Sequence, residues 1–191
     1  MFRGSFLSSL VALAVLLAAV APASIAAPLA APKGPQWVDG TPLLEQFAAP
    51  YLEKAAAAGP MAFKPMAAPK IIHIGDKETF WSINVALNQP FQLQAVLRKI
   101  SKHGYYYVQE GYEVDDATLE RMASQFDTVI YPTNHKYFGS EITPGIDNDP
   151  RITLLFLDIQ DGWEPGRGYV AGYFFPLDEM STSIFPQSNE R

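Results

Sequence analysis

Alternating apolar and polar residues predict a small antiparallel β unit over residues 70–112. The expected strands cover residues 71–74, 79–85, 92–100 and 105–108. Lys102-His103-Gly104 separates the last two strands and is typical of a hairpin turn. The first strand is expected to end at the turn Gly75-Asp76-Lys77.

The pattern changes after Asp115, where apolar residues recur at helical spacing. Asp115 or Asp116 is a suitable N-cap, and a carboxylate there faces the positive end of the helix dipole. The apolar positions of this expected helix are Leu119, Met122, Ala123, Phe126 and Val129. Because a residue before proline is pushed out of the α region, the helix is expected to end before Pro132.

Two further strands are expected after the helix. The near-continuous apolar run over residues 152–159 predicts a strand buried on both faces. A loop over residues 160–168 leads to a second strand over 169–175. The fold class is therefore α+β, with the β unit followed by an incomplete α+β domain over residues 113–191.

The N-terminus has the features of a secretory signal peptide over residues 1–26. Arg3 precedes an apolar run of about 15 residues, which is shorter than the roughly 20 residues that a membrane-spanning helix needs. Small residues follow, including Ala21-Pro22-Ala23. No cysteine follows that would allow lipid attachment. These features predict a secreted bacterial exoprotein with no stable membrane anchor after cleavage.

Residues 27–69 form a segment rich in proline and alanine. Nine of the sixteen prolines lie between Pro22 and Pro69, and Pro50 divides the helical pattern of residues 43–58 into two short pieces. Such composition favours an extended or disordered linker. The alternative is a pro-segment that covers a partner surface with Trp37, Phe47, Tyr51 and Phe63.

Composition excludes several functional classes. The 191 residues carry a formal net charge of −6, so a general nucleic-acid binder is not expected. The chain has no cysteine, which excludes disulfides, thiolate zinc sites, iron–sulfur clusters and cysteine nucleophiles. Length alone predicts one domain.

The three histidines do not form a zinc-binding motif in the sequence. His73, His103 and His135 are about 30 residues apart, and none belongs to a His-Glu-x-x-His pair. His73 in a strand and His103 at a turn are expected to be structural. For His135, after the helix, two roles stay open: binding helix-end carbonyls or acting as a ligand.

Two other groups of residues suggest binding. Asp147, Asp149 and Asp158 supply the oxygen ligands that calcium prefers, although Arg151 interrupts an EF-hand pattern and aspartates before a proline also form turns. The aromatic run of residues 105–107 could bind carbohydrate or peptide, or fill one face of the sheet.

Three stretches together resemble a known family. They are YPTNHKYFGSEITPGIDNDPRITLLFLDI (131–159), GYVAGYFFPLDE (168–179) and PQSNER (186–191). Their order and spacing resemble those of secreted bacterial zinc metallopeptidases of the immune inhibitor A and hyicolysin type. The resemblance covers residues 110–191, extends less clearly over 70–110, and does not include the linker.

The resemblance implies a scaffold without its catalytic centre. In that family the His-Glu-x-x-His helix, which holds zinc and the general base, follows the Ser-Asn-Glu-Arg segment, which here ends at Arg191. No catalytic or zinc-binding residue therefore transfers to this chain, and whether it is an enzyme stays open. The expected function is the exported N-terminal portion of a zinc metallopeptidase-like protein, with a protein or peptide substrate for the full-length form. The alternative is a non-enzymatic secreted binding or pro-segment module.

Overall fold

Six strands and three α-helices are present in the computed structural model, which describes residues 36–59, 62, 70–165 and 168–191. The strands are β1 (Trp37–Asp39), β2 (Lys77–Asn84), β3 (Gln89–Ile100), β4 (Gly104–Gln109), β5 (Ile152–Phe156) and β6 (Tyr169–Gly172). The helices are α1 (Glu45–Ala58), α2 (Asp116–Gln125) and α3 (Tyr131–Phe138). The predicted signal peptide lies outside the described residues, as does Phe63.

The main sheet has the strand order β2-β3-β4-β5. The pairs β2–β3 and β3–β4 are antiparallel, and β5 adds to β4 in parallel after the helical crossover. This arrangement confirms the predicted α+β class. The β unit and the following residues, which the sequence assigns to two parts, contribute strands to one sheet within a single compact unit, Gly34–Arg191.

The predicted strand over residues 71–74 is wrong. Residues 71–73 have no regular secondary structure and Ile74 begins a turn. Backbone hydrogen bonds to β3 start only after this stretch, from Gly75 N to Leu97 O (2.8 Å) and from Leu97 N to Asp76 O (2.9 Å). His73 is consequently exposed in a loop. Because so few backbone groups pair, the isoleucines of this stretch cannot extend the sheet.

Side chains of β4 alternate between two cores. Tyr105 and Tyr107 pack on one face of the sheet with Phe80 and Leu97, whereas Tyr106 packs on the other face with Leu119 of α2. All three tyrosines are at least 94% buried, because both faces of β4 are covered. Of the two roles that the sequence allows, the tyrosines therefore fill the sheet faces and do not form a platform for carbohydrate or peptide.

The helix that follows β4 begins as predicted but does not end before Pro132. The Asp115 carboxylate accepts a hydrogen bond from Thr118 N (2.9 Å) and caps α2. A π-helical turn, Phe126–Ile130, then joins α2 to α3. Pro132 lies in the first turn of α3, directly after the π-helical turn, so the helical path continues past the proline.

Residues 36–59 are folded, which differs from the predicted disordered linker. β1 pairs in parallel with β6, and α1 runs through Pro50 as one helix instead of two pieces. The inner face of α1 packs Phe47 and Tyr51 against Phe185 and Phe175, with Phe185 and Tyr51 ring centroids 4.9 Å apart. This aromatic packing outweighs the local cost of proline in a helix.

Replacing Pro50 by alanine is expected to stabilise the protein. Pro50 is exposed inside α1, so alanine restores a backbone donor without disturbing the packed face. The free energy of unfolding should rise by about 1–3 kcal/mol, measured by urea denaturation. Pro42, at the start of the 3₁₀ turn Thr41–Leu44, is the matched control, and Pro42→Ala should give no such gain. A loss of stability in Pro50→Ala would contradict a continuous helix.

β5 is not buried on both faces as its sequence predicts. Its five residues are exposed or half-buried, and among the described strands it pairs only with β4. The apolar sequence of β5 thus lies at an edge of the sheet.

Within the described part of the chain, no helix is long and apolar enough to cross a membrane.

Candidate functional site

A cleft of about 640 Å³ lies along the outer edge of β5. Its far wall is formed by β6 and the residues after it. Most of its lining is apolar and includes Phe80, Ile142, Ile146, Leu155 and Phe174. A concave apolar surface with a few converging polar groups is the usual form of a binding site.

Acidic side chains gather at one part of this cleft. Burial raises the pKa of Asp178 to about 7, although hydrogen bonds from Asn189 oppose that shift. Burial and the nearby charge of Glu141 also raise the pKa of Glu179. Asp178 is thus a carboxyl group that is largely protonated below neutral pH, which is unusual for an aspartate.

Arg191 supplies positive charge at the same cleft but is already paired. Its guanidinium contacts the Glu78 carboxylate and lies 3.9 Å from an oxygen of Asp147. Burial alone would raise the pKa of Glu78, but the hydrogen bond from Lys70 (2.8 Å) and the charge of Arg191 hold that pKa below its usual value. The side chain of Arg191 therefore ties the C-terminal segment to β2.

The structure brings together two of the three predicted calcium ligands. Asp147 Oδ1 accepts a hydrogen bond from Asp149 N (3.1 Å), and Asp149 Oδ2 accepts one from Tyr105 Oη (2.7 Å). Asp158 is exposed after β5, where its carboxylate accepts a hydrogen bond from Gln160 N (3.1 Å). The aspartate pair is engaged by its own turn and by Arg151, 3.4 Å from Asp149.

No group of three or more histidine, aspartate or glutamate side chains among residues 36–59, 70–165 and 168–191 is arranged to hold a metal ion.

Two of the three histidines flank one tyrosine, and this group contacts Glu141 of the cleft lining. The Tyr131 ring lies 3.8 Å from the His103 ring and 4.0 Å from the His135 ring, between centroids. Glu141 joins this group, because its carboxylate accepts a hydrogen bond from Tyr131 Oη (2.7 Å) and lies 2.6 Å from His135 Nε2. His135 therefore contacts a carboxylate, which is neither of the two roles left open by the sequence, while His73 lies apart.

Four polar residues of the cleft have no signal in the sequence. Glu141, Asp178, Asn189 and Arg191 lie in the stretches that carry the family resemblance, but the sequence assigns none of them a role in a site. Asn189 and Arg191 contact residues of β2, far away in the chain. Asn189, for example, contacts a residue 108 positions away. The neighbouring acids Asp178 and Glu179 after Pro176 are typical only of a turn.

Comparison with known proteins indicates a relationship to metallopeptidases. No family model matches the chain. Over 117 residues the chain is 28% identical to the neutral metalloprotease ShpI of Staphylococcus hyicus, a stretch that covers 61% of this chain and 25% of that protein. The chain thus spans about a quarter of the length of this curated relative. The similarity supports a metallopeptidase-related protein.

Proposed function

We propose that residues 70–191 are a scaffold portion of a secreted zinc metallopeptidase-like protein of the immune inhibitor A and hyicolysin type. In this proposal, a further part of the domain packs into the cleft beside β5 and supplies the catalytic helix. Residues 36–59 pack against this portion and stabilise it. The substrate of the complete protein is a protein or peptide.

The single observation that carries this proposal is the cleft beside β5. Ile152 and Phe174, which line it, are 39% and 56% exposed, although both belong to apolar stretches. An exposed apolar surface of this kind usually marks an interaction site. The similarity to a metalloprotease, only 25% of which is matched by this chain, supports a further part of such a protein as the occupant of the cleft.

The edge of β5 supports the same conclusion. A strand that pairs on one side only presents unpaired N–H and C=O groups, and proteins normally cover such an edge. The opposite edge of the sheet shows this arrangement, because Asn189 and Tyr173 hydrogen-bond to the backbone of β2. A covering segment for β5 would complete the sheet in the same manner.

The proposal predicts that the 191-residue chain has no peptidase activity of its own. Casein incubated with the purified chain and zinc should be cleaved no faster than casein with zinc alone, because no His-Glu-x-x-His pair is present to hold the metal and activate water. The measurement is release of labelled peptides with and without a chelator.

Chelator-sensitive cleavage that the chain itself catalyses would contradict this proposal. The double variant His103→Ala, His135→Ala distinguishes that outcome from contamination. Activity of the chain that needs zinc-binding histidines should disappear in this variant, whereas a contaminating peptidase would be unaffected.

A further inference from the structure

The side chain of Asn189 takes the place of a neighbouring strand at the edge of β2. Its Oδ1 accepts a hydrogen bond from Trp81 N (2.8 Å), and its Nδ2 donates to Trp81 O (2.9 Å). One amide thus satisfies both backbone groups of a single strand residue. The segment that carries it, residues 186–191, is thereby held on the sheet.

Asp178 holds this amide in position. Its Oδ1 accepts hydrogen bonds from Asn189 N (3.1 Å) and Asn189 Nδ2 (3.0 Å). The backbone adds a further link, because Arg191 N donates to Asp178 O (2.8 Å). Asp178 therefore lies at the base of the loop that closes residues 178–191 onto β2.

The charged surroundings of Asp178 are mostly acidic or already engaged. Glu179 is its neighbour on the same turn, and Glu141 faces Glu179 from the segment after α3. The Tyr173 phenol, after β6, is also close enough to be affected by the charge of Asp178. Arg191, a cation that lines the same cleft, already contacts Glu78 and Asp147.

We propose that Asp178, Asn189 and the Trp81 backbone form a pH-operated latch that holds residues 186–191 on β2 while Asp178 is protonated and weakens as Asp178 ionises. An uncharged carboxyl accepts both Asn189 hydrogen bonds without placing a charge among the acidic neighbours. An ionised carboxylate gains hydration only when the segment opens. Since Trp81, Asp178, Asn189 and Arg191 all line the cleft, opening of the latch changes the cleft itself.

The direction of the pH dependence follows from proton binding. In the closed state the pKa of Asp178 is raised to about 7, whereas in the open, hydrated state it returns towards the ordinary 3.8. Between these two pH values Asp178 carries a proton in the closed state and has lost it in the open state. The population of the closed state relative to the open state should therefore fall by up to about tenfold per pH unit from pH 4 to pH 7. Above pH 7 this ratio should stay constant.

Hydrogen exchange of the full chain tests this latch directly. Protection factors of the Trp81 and Arg191 amides, corrected for intrinsic exchange, should fall by up to about 100-fold between pH 5 and pH 7. In Asp178→Asn the same factors should be independent of pH, because a neutral amide still accepts the Asn189 hydrogen bonds. Glu113→Gln, which removes an exposed acid, is the matched control and should retain the wild-type slope.

A second variant keeps the test decisive if Asp178→Asn does not fold. Glu179→Gln removes a negative charge that raises the pKa of Asp178. The protection factors should therefore become independent of pH at a lower pH than in the wild type. The latch is refuted if wild-type protection is flat between pH 5 and pH 7. It is equally refuted if the protection factors of Asp178→Asn fall with pH as in the wild type. The same holds if those of Glu179→Gln become independent of pH at the same pH as in the wild type.

Discussion

Replacing Phe185 by alanine is expected to lower the free energy of unfolding by about 3–5 kcal/mol. Phe185 is 1% exposed, and its ring contacts those of Phe47, Tyr51 and Phe175. Truncation therefore removes a buried aromatic side chain and leaves a cavity between α1 and the C-terminal segment. Because small proteins have only about 5–15 kcal/mol of stability, urea denaturation should show a large shift of the midpoint.

Phe174 offers a matched control for this substitution. It is a phenylalanine in the same stretch of chain but is 56% exposed, so Phe174→Ala should change stability by less than about 1 kcal/mol. Equal effects of the two substitutions would mean that α1 does not pack on the segment around Phe185. Residues 36–59 would then be the linker that their composition predicts.

Leu119→Ala is expected to cost about 2–5 kcal/mol of the free energy of unfolding. Leu119 is 1% exposed and packs from α2 onto Tyr106 and Val108 of β4. The substitution creates a cavity in the layer between the helix and the sheet. The measurement is again the midpoint and slope of urea denaturation, followed by far-ultraviolet circular dichroism.

Met122, one turn along the same helix, is the control for Leu119. Its side chain is 39% exposed, so Met122→Ala should cost at most about 1 kcal/mol. If Met122→Ala were the more destabilising of the two, α2 would present a different face to the sheet from the one described.

The sequence predicts the antiparallel part of the sheet and the start of α2 because both depend on local periodicity. Bulky residues at every second position of β2, β3 and β4 face the same core, and Asp115 is a cap that acts within one helical turn. Local patterns of this kind identify an element before its packing is known.

The failures occur where tertiary contacts override a local preference. Pro50 and Pro132 both predict helix ends, yet aromatic packing retains α1, and a π-helical turn places Pro132 at the start of α3. The apolar sequence of β5 predicts burial, whereas the described chain covers only one of its edges. Such outcomes depend on residues distant in the chain, which periodicity does not report.

The sequence predicts the candidate site less well than the fold, because the contacts that form the site also join residues that are distant in the chain. The sequence singles out Asp147 and Asp149 because they are two residues apart in a polar stretch, and the structure keeps them together. It gives no indication that Asp178 and Asn189 meet Trp81, because these contacts span up to 108 residues. Only the folded chain brings these polar groups to one cleft.

Thiol labelling of the cleft beside β5 tests the basis of the proposed function most directly. The chain contains no cysteine, so a single introduced thiol reports on one position. Ala171→Cys and Ile152→Cys place thiols on the two sides of the cleft, and Ala95→Cys places one in a core position that is 0% exposed.

An open cleft predicts that the thiols at positions 171 and 152 react rapidly with a bulky apolar maleimide and that circular dichroism is unchanged after labelling. The thiol at position 95 should react only at the rate of unfolding. If the thiols at positions 171 and 152 were as protected as the one at position 95, the cleft would already be filled. No surface would then remain for a further part of a metallopeptidase-like domain to pack against.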